Sequence, residues 1–207
     1  MKKISKYGNE EVYVVPYHNT LHIEDGFTRV EKEPHIWTKF DHIGKYIYRD
    51  EVEGKPELQQ IIPYILIRSD EGKYLVARRT DKTSETRWHN TISIGFGGHI
   101  NPCDGTRQVL FQGAVRELLE EVALSHYSPM KFLGYVRDMR SNINDHLGCV
   151  FLIDNVNSKE TNIRETDKLA GDWLTKEQLI EHYGKLETWA KPVSYTHLRA
   201  HETRHDL

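Results

Sequence analysis

A short acidic segment, GAVRELLEEVAL at residues 113–124, constrains this chain more than any other feature of its sequence. If the segment is helical, Glu117, Glu120 and Glu121 are spaced i, i+3 and i+4 and share one face. Like charges at this spacing weaken an exposed helix by roughly 0.2–0.5 kcal/mol per pair. In a cleft the lower dielectric makes the repulsion stronger. The segment therefore predicts either a solvated acidic face or a face that binds a cation.

The residues around these glutamates predict a helix from about Gln108 to Leu124. Its apolar positions recur at intervals of four, three and four and should face the core: Phe111, Val115, Leu118 and Val122. The acidic face lies roughly opposite. Mg²⁺ takes oxygen ligands, usually one or two carboxylates together with waters and substrate phosphate oxygens. Three acids on one turn can supply part of that shell.

The rest of the chain reads mainly as strands. The segment QQIIPYILIRS predicts a buried strand in which Pro63 indicates an edge or a bulge, and GKYLVARR follows as its hairpin partner. Further strands are predicted in TISIGFGGHI, MKFLGYVRD and LGCVFLIDN, and GDWLT precedes a helix with Thr175 as N-cap. Because the elements mix without a regular βαβ repeat, we predict an α+β fold with a mixed-sheet sandwich.

Composition narrows the classes of partner. A net charge of −3 gives no basic footprint for a nucleic-acid polymer, and no run of about 18 apolar residues predicts a membrane span. The basic start lacks the apolar stretch of a secretory signal. Two cysteines, Cys103 and Cys149, are too few for a disulfide framework. We therefore expect a cytoplasmic protein that binds neither nucleic-acid polymers nor membranes.

The segment GGHINPCDGTRQVLFQGAVRELLEEVAL, residues 97–124, resembles the Nudix box of the Nudix hydrolases. That pattern is a Gly, five residues, a Glu, seven residues and then Arg-Glu-U-x-Glu-Glu-x-Gly-U, where U is aliphatic. The matching positions are Gly97, Gly98, Arg116, Glu117, Leu118, Glu120, Glu121 and Leu124. The resemblance implies the Nudix fold, in which helices flank a mixed β-sheet as an α/β/α sandwich. A subgroup of predicted Nudix phosphoesterases is the most similar.

Two departures from the pattern affect the loop before the helix. Seventeen residues separate Gly98 from Arg116 where the pattern has thirteen, so the loop is four residues longer. The first Glu of the pattern is absent: Asp104 has its spacing from Gly98, and Gln108 has its spacing from Arg116. Ala123 replaces the late Gly, where we expect an ordinary helical conformation.

We divide the chain into three parts. Residues 1–57 form an N-terminal extension that packs on the core, and residues 58–191 form the Nudix hydrolase domain. The last residues, 192–207, resemble the translation of a transposon-based sequencing adapter, and we exclude them from functional reasoning. The segment KLETWAK before them looks like the start of a final helix.

The resemblance implies hydrolysis of a diphosphate linkage in a nucleoside diphosphate derivative or a related phosphorylated small molecule, with Mg²⁺ or Mn²⁺ as cofactor. It implies that Glu117, Glu120 and Glu121 hold the metal together with the carbonyl of Gly97, with Glu117 and Glu120 in catalytic roles. Arg116 is expected to orient the glutamates. Assembly of the chain as a homodimer stays an alternative to a monomer.

Several further residues are candidates outside the acidic turn. Glu165 is our first candidate for the general base, and Asp145 is the second. Arg78, Arg79 and His99 are candidates for binding a substrate phosphate, and Trp88 or His89 for stacking on a base.

Two other functions remain alternatives. An enzyme similar to isopentenyl diphosphate isomerase needs a catalytic thiol, but WHNTISIGFGGHI has Ser and Gly where that thiol is expected. A non-catalytic, nucleotide-binding or regulatory Nudix-like domain usually loses the acids of the box, and this chain keeps them. Hydrolysis requires the metal and all three glutamates, whereas a regulatory domain binds its ligand without turnover.

Overall fold

The computed structural model describes residues 6–79, 91–141, 143–164 and 169–198. The strands are β1 Glu11–Pro16, β2 Gly26–Arg29, β3 Lys45–Tyr48, β4 Leu58–Ser69, β5 Tyr74–Arg79, β6 Ile92–Ser93, β7 Val122–Ala123, β8 Lys131–Arg137, β9 His146–Val156, β10 Asn162–Ile163 and β11 Leu169–Leu174. The α-helices are α1 Arg49–Val52, α2 Val109–Glu121, α3 Lys176–Glu181 and α4 Ala190–Val193.

Nine of the strands in the described ranges form one mixed sheet. Its main order is β11-β5-β4-β9-β8-β2, and β1 pairs with both β3 and β4 while β6 pairs with β5. Strands β4 and β9 are parallel, and the other pairs are antiparallel. The predicted α+β class with a mixed sheet is confirmed.

Strand β4 lies at the centre because its apolar residues are buried on both faces. Ile61, Ile65 and Ile67 pack in one core cluster, which includes Leu110, Ala114 and Leu118 of α2. Ile62, Tyr64 and Leu66 pack in a second cluster with Leu179, Trp189 and Ala190 from the C-terminal segment. Alternation along a strand thus places helices against opposite faces of the sheet.

Pro63 lies in the interior of β4 and not at the predicted edge or bulge. It pairs in register with Cys149 of the parallel strand β9. On its other side β4 pairs with β1 at residues 58–60 and with β5 at Arg68. The ladder is therefore open on that side at residue 63, where Gly97 approaches the carbonyl of Pro63.

Helix α2 is shorter than predicted and buries a different stripe. It ends at Glu121, and Val122 and Ala123 are extended and pair with Ile163 and Asn162 of β10. The expected helical conformation of Ala123 is wrong for this reason. The buried positions are Val109, Leu110, Gly113, Ala114 and Leu118. The stripe includes a glycine because a Cβ at Gly113 would lie 2.9 Å from the side chain of Ile100.

The N-terminal segment, residues 6–57, holds the loop before α2. Strand β1 joins the sheet beside β4, and Asp41 accepts hydrogen bonds from the backbone N–H groups of Gln108 (2.7 Å) and Val109 (3.2 Å). The first N–H groups of a helix have no partner within the helix. In α2 the side chain of the N-cap residue, Gln108, does not accept from them. Tyr46 donates its hydroxyl to the carbonyl of Gly105 over 2.6 Å. The proposed boundary between residues 57 and 58 stays a prediction.

The C-terminal segment closes the second core cluster. Val193 is fully buried there, and a turn of π-helix follows at Ser194–Leu198. The interpretation of residues 192–207 as adapter sequence stays a prediction. None of the helices in the ranges that the structure describes has the length and apolar content to cross a membrane.

Candidate active site

Two adjacent glycines bring the backbone close to both β4 and α2. A Cβ at Gly97 would lie 2.0 Å from the carbonyl oxygen of Pro63, and its φ of +143° is one that L side chains rarely adopt. A Cβ at Gly98 would lie 2.7 Å from Oε2 of Glu117. The N–H of Gly97 donates to Oε2 of Glu121 over 2.9 Å. The helix therefore places one carboxylate against each glycine.

Arg116 connects the acidic groups of the loop and the helix. Its guanidinium donates two hydrogen bonds of 2.9 Å to Asp104, one of 2.7 Å to Glu117 and one of 3.2 Å to Glu120. It also donates to the carbonyl of His99 over 2.8 Å. The bond with Asp104 is the largest reason why the pKa of Arg116 is raised. We call Asp104, Arg116, Glu117 and Glu120 the Arg116 cluster.

Asp104, which has the spacing of the first Glu of the Nudix pattern from Gly98, is the acid of this loop that pairs with Arg116. Its side chain is only 3% exposed, and its Oδ2 also accepts the backbone N–H of Asn101 over 2.9 Å. Gln108, the other candidate for this position, lies at the N-cap of α2 in a left-handed conformation. The four extra residues of the loop therefore lie between Asp104 and Val109.

The glutamates of the acidic turn differ in their surroundings. The side chain of Glu117 is 12% exposed, whereas that of Glu120 is 60% exposed. Burial raises the pKa of Glu117; the ion pair with Arg116 acts against this, and the charges of Glu120 and Asp104 add to it. A divalent cation beside this carboxylate would favour its charged form.

The oxygen atoms of the acidic turn of α2 are ligands of the kind that a hard divalent cation takes. Carboxylate oxygens and a backbone carbonyl are ligands that Mg²⁺ accepts, and burial disfavours the charged form of Glu117, which a cation would favour. Within the described ranges, however, no group of three or more His, Cys, Asp or Glu side chains is arranged to hold a metal ion. The exposed Glu120 accepts a hydrogen bond from Nη1 of Arg116, the nitrogen that also donates to Glu117. Only part of the predicted ligand set is therefore brought together.

The side chain of His99 lies beside His146 and Glu10 and not beside the glutamates of the acidic turn. Its ring packs against that of His146, with centroids 5.4 Å apart, and its Nδ1 lies 3.9 Å from Oε1 of Glu10. Burial, followed by the charges of Arg49 and His146, lowers the pKa of His99 to about 3. Its imidazole is thus neutral near pH 7, and this geometry does not support the predicted phosphate contact.

Asp145, the second candidate for the general base, is fully buried. It accepts hydrogen bonds from Nδ1 of His146 (2.7 Å), the N–H of Gly54 (2.6 Å) and the amide of Gln60 (3.0 Å). An acid with no exposed surface does not reach a substrate. Its effect is to fix the ring of His146, a residue that the sequence did not single out.

The remaining candidates are spread over the sheet or lie outside the described residues. Arg78 donates to Asp172 of β11 over 3.3 Å, so its guanidinium has an acidic partner. The positions outside the described residues are the side chain of Arg79 and all of Trp88, His89 and Glu165. Their predicted roles stay predictions.

A cavity of about 230 Å³ adjoins Gly97 and Glu121. We call it the Trp189 cavity and define it by Tyr64, Ser93, Gly97, Glu121, Glu187 and Trp189, which line it. Oε1 of Glu187 accepts the hydroxyl of Tyr64 over 2.8 Å and lies 2.7 Å from the hydroxyl of Ser93. Sequence reasoning missed Glu187 and Trp189, because nothing in the spacing of KLETWAK connects it to the distant glycines. Its Glu and Trp, separated by one Thr, were the available signal.

The comparisons with known proteins agree with this arrangement. Residues 58–196 match the model of the NUDIX domain family. Protein YmaB of Bacillus subtilis (strain 168) is 29% identical over 153 residues, which are 70% of this chain and 74% of YmaB.

Solved structures extend the similarity to the whole fold. The crystal structure of Tm1382, a candidate Nudix hydrolase, superimposes with a TM-score of 0.78 at 28% identity, covering 92% of this chain and 100% of Tm1382. DR0079 from Deinococcus radiodurans gives a TM-score of 0.50 at 17% identity, covering 74% of this chain and 91% of DR0079. At 17% identity the likeness to DR0079 concerns the fold alone.

Proposed function

Because this chain belongs to the Nudix family, we propose that it hydrolyses a diphosphate linkage in a nucleoside diphosphate derivative or a related phosphorylated small molecule, with Mg²⁺ or Mn²⁺ as cofactor. The family match supports a hydrolase, and Nudix hydrolases generally use divalent metals. The observation that carries the proposal is the placement of Glu117 and Glu121 against the paired glycines.

We assign the metal to Glu117, Glu120 and Glu121 together with the carbonyl of Gly97. When bound, a divalent ion would neutralise phosphate oxygens and lower the pKa of the attacking water. For all three carboxylates to take part, Glu120 has to turn from its solvent-exposed position. Its flexible side chain and its high exposure allow this change.

Arg116 is assigned a positioning role rather than contact with the substrate. All three of its guanidinium nitrogens already donate to protein oxygens. The buried Asp104 offsets its charge and fixes its orientation through two parallel bonds. Arg116 in turn limits the movement of Glu117. Glu165 stays the first candidate for the general base on the strength of the sequence alone.

The proposed partner is a phosphorylated small molecule in the cytoplasm. The lining of the Trp189 cavity, next to the acidic turn, supports a ligand of limited size. We propose that the chain binds no nucleic-acid polymer because its net charge is −3.

The two alternatives make different demands on the site. An isomerase of the isopentenyl diphosphate type needs a thiol, but Cys103 is exposed on the loop and Cys149 is buried in the core. Neither cysteine lines the Trp189 cavity. A regulatory domain would bind a nucleotide without turnover.

The test is a panel of dinucleotides, nucleotide sugars and nucleoside triphosphates incubated with Mg²⁺ or Mn²⁺. We expect phosphate or nucleotide products from at least one compound, and a loss of roughly 100-fold or more in kcat for Glu120→Gln, by analogy with lost electrostatic stabilisation in other hydrolases. Glu181→Gln, an exposed acid at the end of α3, is the matched control. No turnover in the panel, or equal activity of Glu120→Gln, would contradict the proposal.

A further inference from the structure

Two strands of the N-terminal segment lie against the loop that precedes α2. Strands β1 and β3 are antiparallel, and Tyr13 lies directly opposite Tyr46. The backbone N–H of Tyr13 donates to the carbonyl of Ile100 over 2.9 Å. The hydroxyl of Tyr46 donates to the carbonyl of Gly105 over 2.6 Å. One pair of opposite residues in the sheet therefore binds the loop on both sides of Asp104.

The segment between these two contacts contains a single 3-10 turn, Pro102–Asp104. The turn follows Asn101, whose side-chain amide donates to the carbonyl of Glu11 in β1 over 2.8 Å. It ends before Gly105, whose φ of +81° is one that a glycine adopts readily. The turn is therefore bound to the N-terminal segment at both ends, and Tyr46 provides the contact at its C-terminal end.

The surroundings of Tyr46 keep its hydroxyl in one place as a donor. Burial, followed by the charge of Asp104, raises the pKa of this hydroxyl, so the proton is retained at neutral pH. The ring meets that of Tyr13 edge to face, with centroids 4.9 Å apart and an interplanar angle of 69°. This is a favourable arrangement of two aromatic rings. The position of the hydroxyl is therefore set by the pairing of β1 with β3.

Asp104 connects the 3-10 turn to the acidic turn of α2. Its two carboxylate oxygens each accept a hydrogen bond of 2.9 Å from Arg116, and Nη1 of Arg116 donates to Glu117 over 2.7 Å. The side chain of Asp104 is only 3% exposed, so a shift of the turn would move the carboxylate away from Arg116. A path of hydrogen bonds thus leads from the hydroxyl of Tyr46 to Glu117.

We propose that Tyr46 is a positioning residue for the metal ligand Glu117, acting through Asp104. The inference rests on the proposed function, because Glu117 is a metal ligand only under that proposal. It gives the N-terminal segment a part in metal binding, although the ligands that we assign all lie within residues 97–121. Ligands that are held in place before the ion arrives lose less freedom when it binds.

The test is a titration of Mn²⁺ into the full chain and into Tyr46→Phe, followed by electron paramagnetic resonance in the absence of substrate. Tyr46→Phe keeps the aromatic ring and removes only the hydroxyl. We expect the variant to bind Mn²⁺ about threefold to tenfold more weakly, which is the range for the loss of one hydrogen bond. Equal affinity of wild type and Tyr46→Phe for Mn²⁺ would overturn the proposal.

Two controls separate positioning from a general loss of stability. Tyr48→Phe removes an exposed hydroxyl from the same strand, β3. Thr175→Ala removes the N-cap of α3 and so destabilises the chain at a helix that packs on the other face of the sheet. Both variants should bind Mn²⁺ as wild type does, and urea unfolding gives the stability of each. If Thr175→Ala weakens Mn²⁺ binding as much as Tyr46→Phe does, the effect is not positioning and the proposal is wrong.

A double variant tests the path through Asp104. Tyr46→Phe should cause no further loss of Mn²⁺ affinity in a chain that already carries Asp104→Ala, because no carboxylate is left for the turn to place beside Arg116. Fully additive losses would contradict this path. If Asp104→Ala fails to fold, the comparison of Tyr46→Phe with Thr175→Ala decides.

Failure of this inference differs from failure of the proposed function. If Tyr46 does not position the ligand, Glu117→Gln still weakens Mn²⁺ binding while Tyr46→Phe binds as wild type does. If the metal site itself is wrong, wild type and Glu117→Gln bind Mn²⁺ equally or not at all, and both proposals fail.

Discussion

Arg116 holds Asp104, Glu117 and Glu120 in hydrogen-bonded ion pairs, whereas the wall of the Trp189 cavity contains a buried donor that no described residue satisfies. The two regions meet at Gly97, where one backbone N–H binds Glu121. The Arg116 cluster is fixed by charged hydrogen bonds between protein side chains. The Trp189 cavity is a space of about 230 Å³ that both apolar and polar side chains line.

This difference corresponds to two tasks. Carboxylates of like charge repel one another unless a cation orients them, so their positions must be fixed before substrate binds. A cavity that both apolar and polar side chains line is suited to bind part of a small ligand. The contrast predicts that changes in the Arg116 cluster affect stability and metal binding, while changes in the cavity affect ligand choice.

The largest effect on stability is expected from Arg116→Ala. The change leaves Asp104 buried with its charge uncompensated, which destabilises proteins by about 3–5 kcal/mol. Urea unfolding measures the loss. The double variant with Asp104→Ala should recover part of it, because both charges are then absent. Purely additive losses would show that the two residues do not act as a pair.

A smaller and pH-dependent effect is expected from Asp145→Asn, behind the Trp189 cavity. The ring of His146 that Asp145 binds lies 6.5 Å from that of Trp189, centroid to centroid. At neutral pH the variant should be about 1.5–3 kcal/mol less stable, the range for hydrogen bonds to a charged group.

The pKa of Asp145 determines how this loss depends on pH. Burial alone would raise it, but the hydrogen bonds from His146 and the N–H of Gly54 lower it below 3.8. Its stabilisation is therefore present above pH 3.8 and is lost as the pH falls through the lowered pKa. Unfolding of wild type and variant at neutral and acidic pH checks this. A difference that stays constant on acidification would contradict the assignment.

The smallest effect is expected from Asp41, which caps α2 from the N-terminal segment. Loss of an N-cap destabilises by about 1 kcal/mol, and Asp41→Ala should therefore lower the free energy of unfolding by about that amount. Asp41→Asn keeps one of the two acceptor oxygens that bind the N–H groups of Gln108 and Val109, so its loss should lie between wild type and Asp41→Ala. If Asp41→Ala is as stable as wild type, Asp41 does not cap the helix.

The sequence predicted the parts of the site that lie close together in the chain. Arg116, Glu117 and Glu121 are on one helix, and the paired glycines follow one strand, so spacing and a family pattern were sufficient. The sequence placed Asp104 at the spacing of the first Glu from Gly98 and Gln108 at its spacing from Arg116, and in the structure Asp104 forms the buried ion pair with Arg116.

The sequence did not predict contacts between distant segments. Asp41 reaches the start of α2 from 67 residues away, and the hydroxyl of Tyr64 reaches Glu187 from 123 residues away. No local periodicity records such pairs, because they depend on how the strands are ordered in the sheet. The predicted apolar stripe of α2 was also wrong in part, since hydrophobicity alone overlooked Gly113 and Ala114 as contact positions.

The claim at the centre of this account is that the acidic turn of α2 holds a divalent metal beside Gly97. Titration of Mn²⁺, followed by calorimetry or by electron paramagnetic resonance, tests it without any substrate. We predict saturable binding that is at least about tenfold weaker in Glu117→Gln and in Glu120→Gln, and unchanged in Glu181→Gln. Absence of binding, or equal binding by the variant that replaces Glu117, Glu120 and Glu121 together by Gln, would contradict the account.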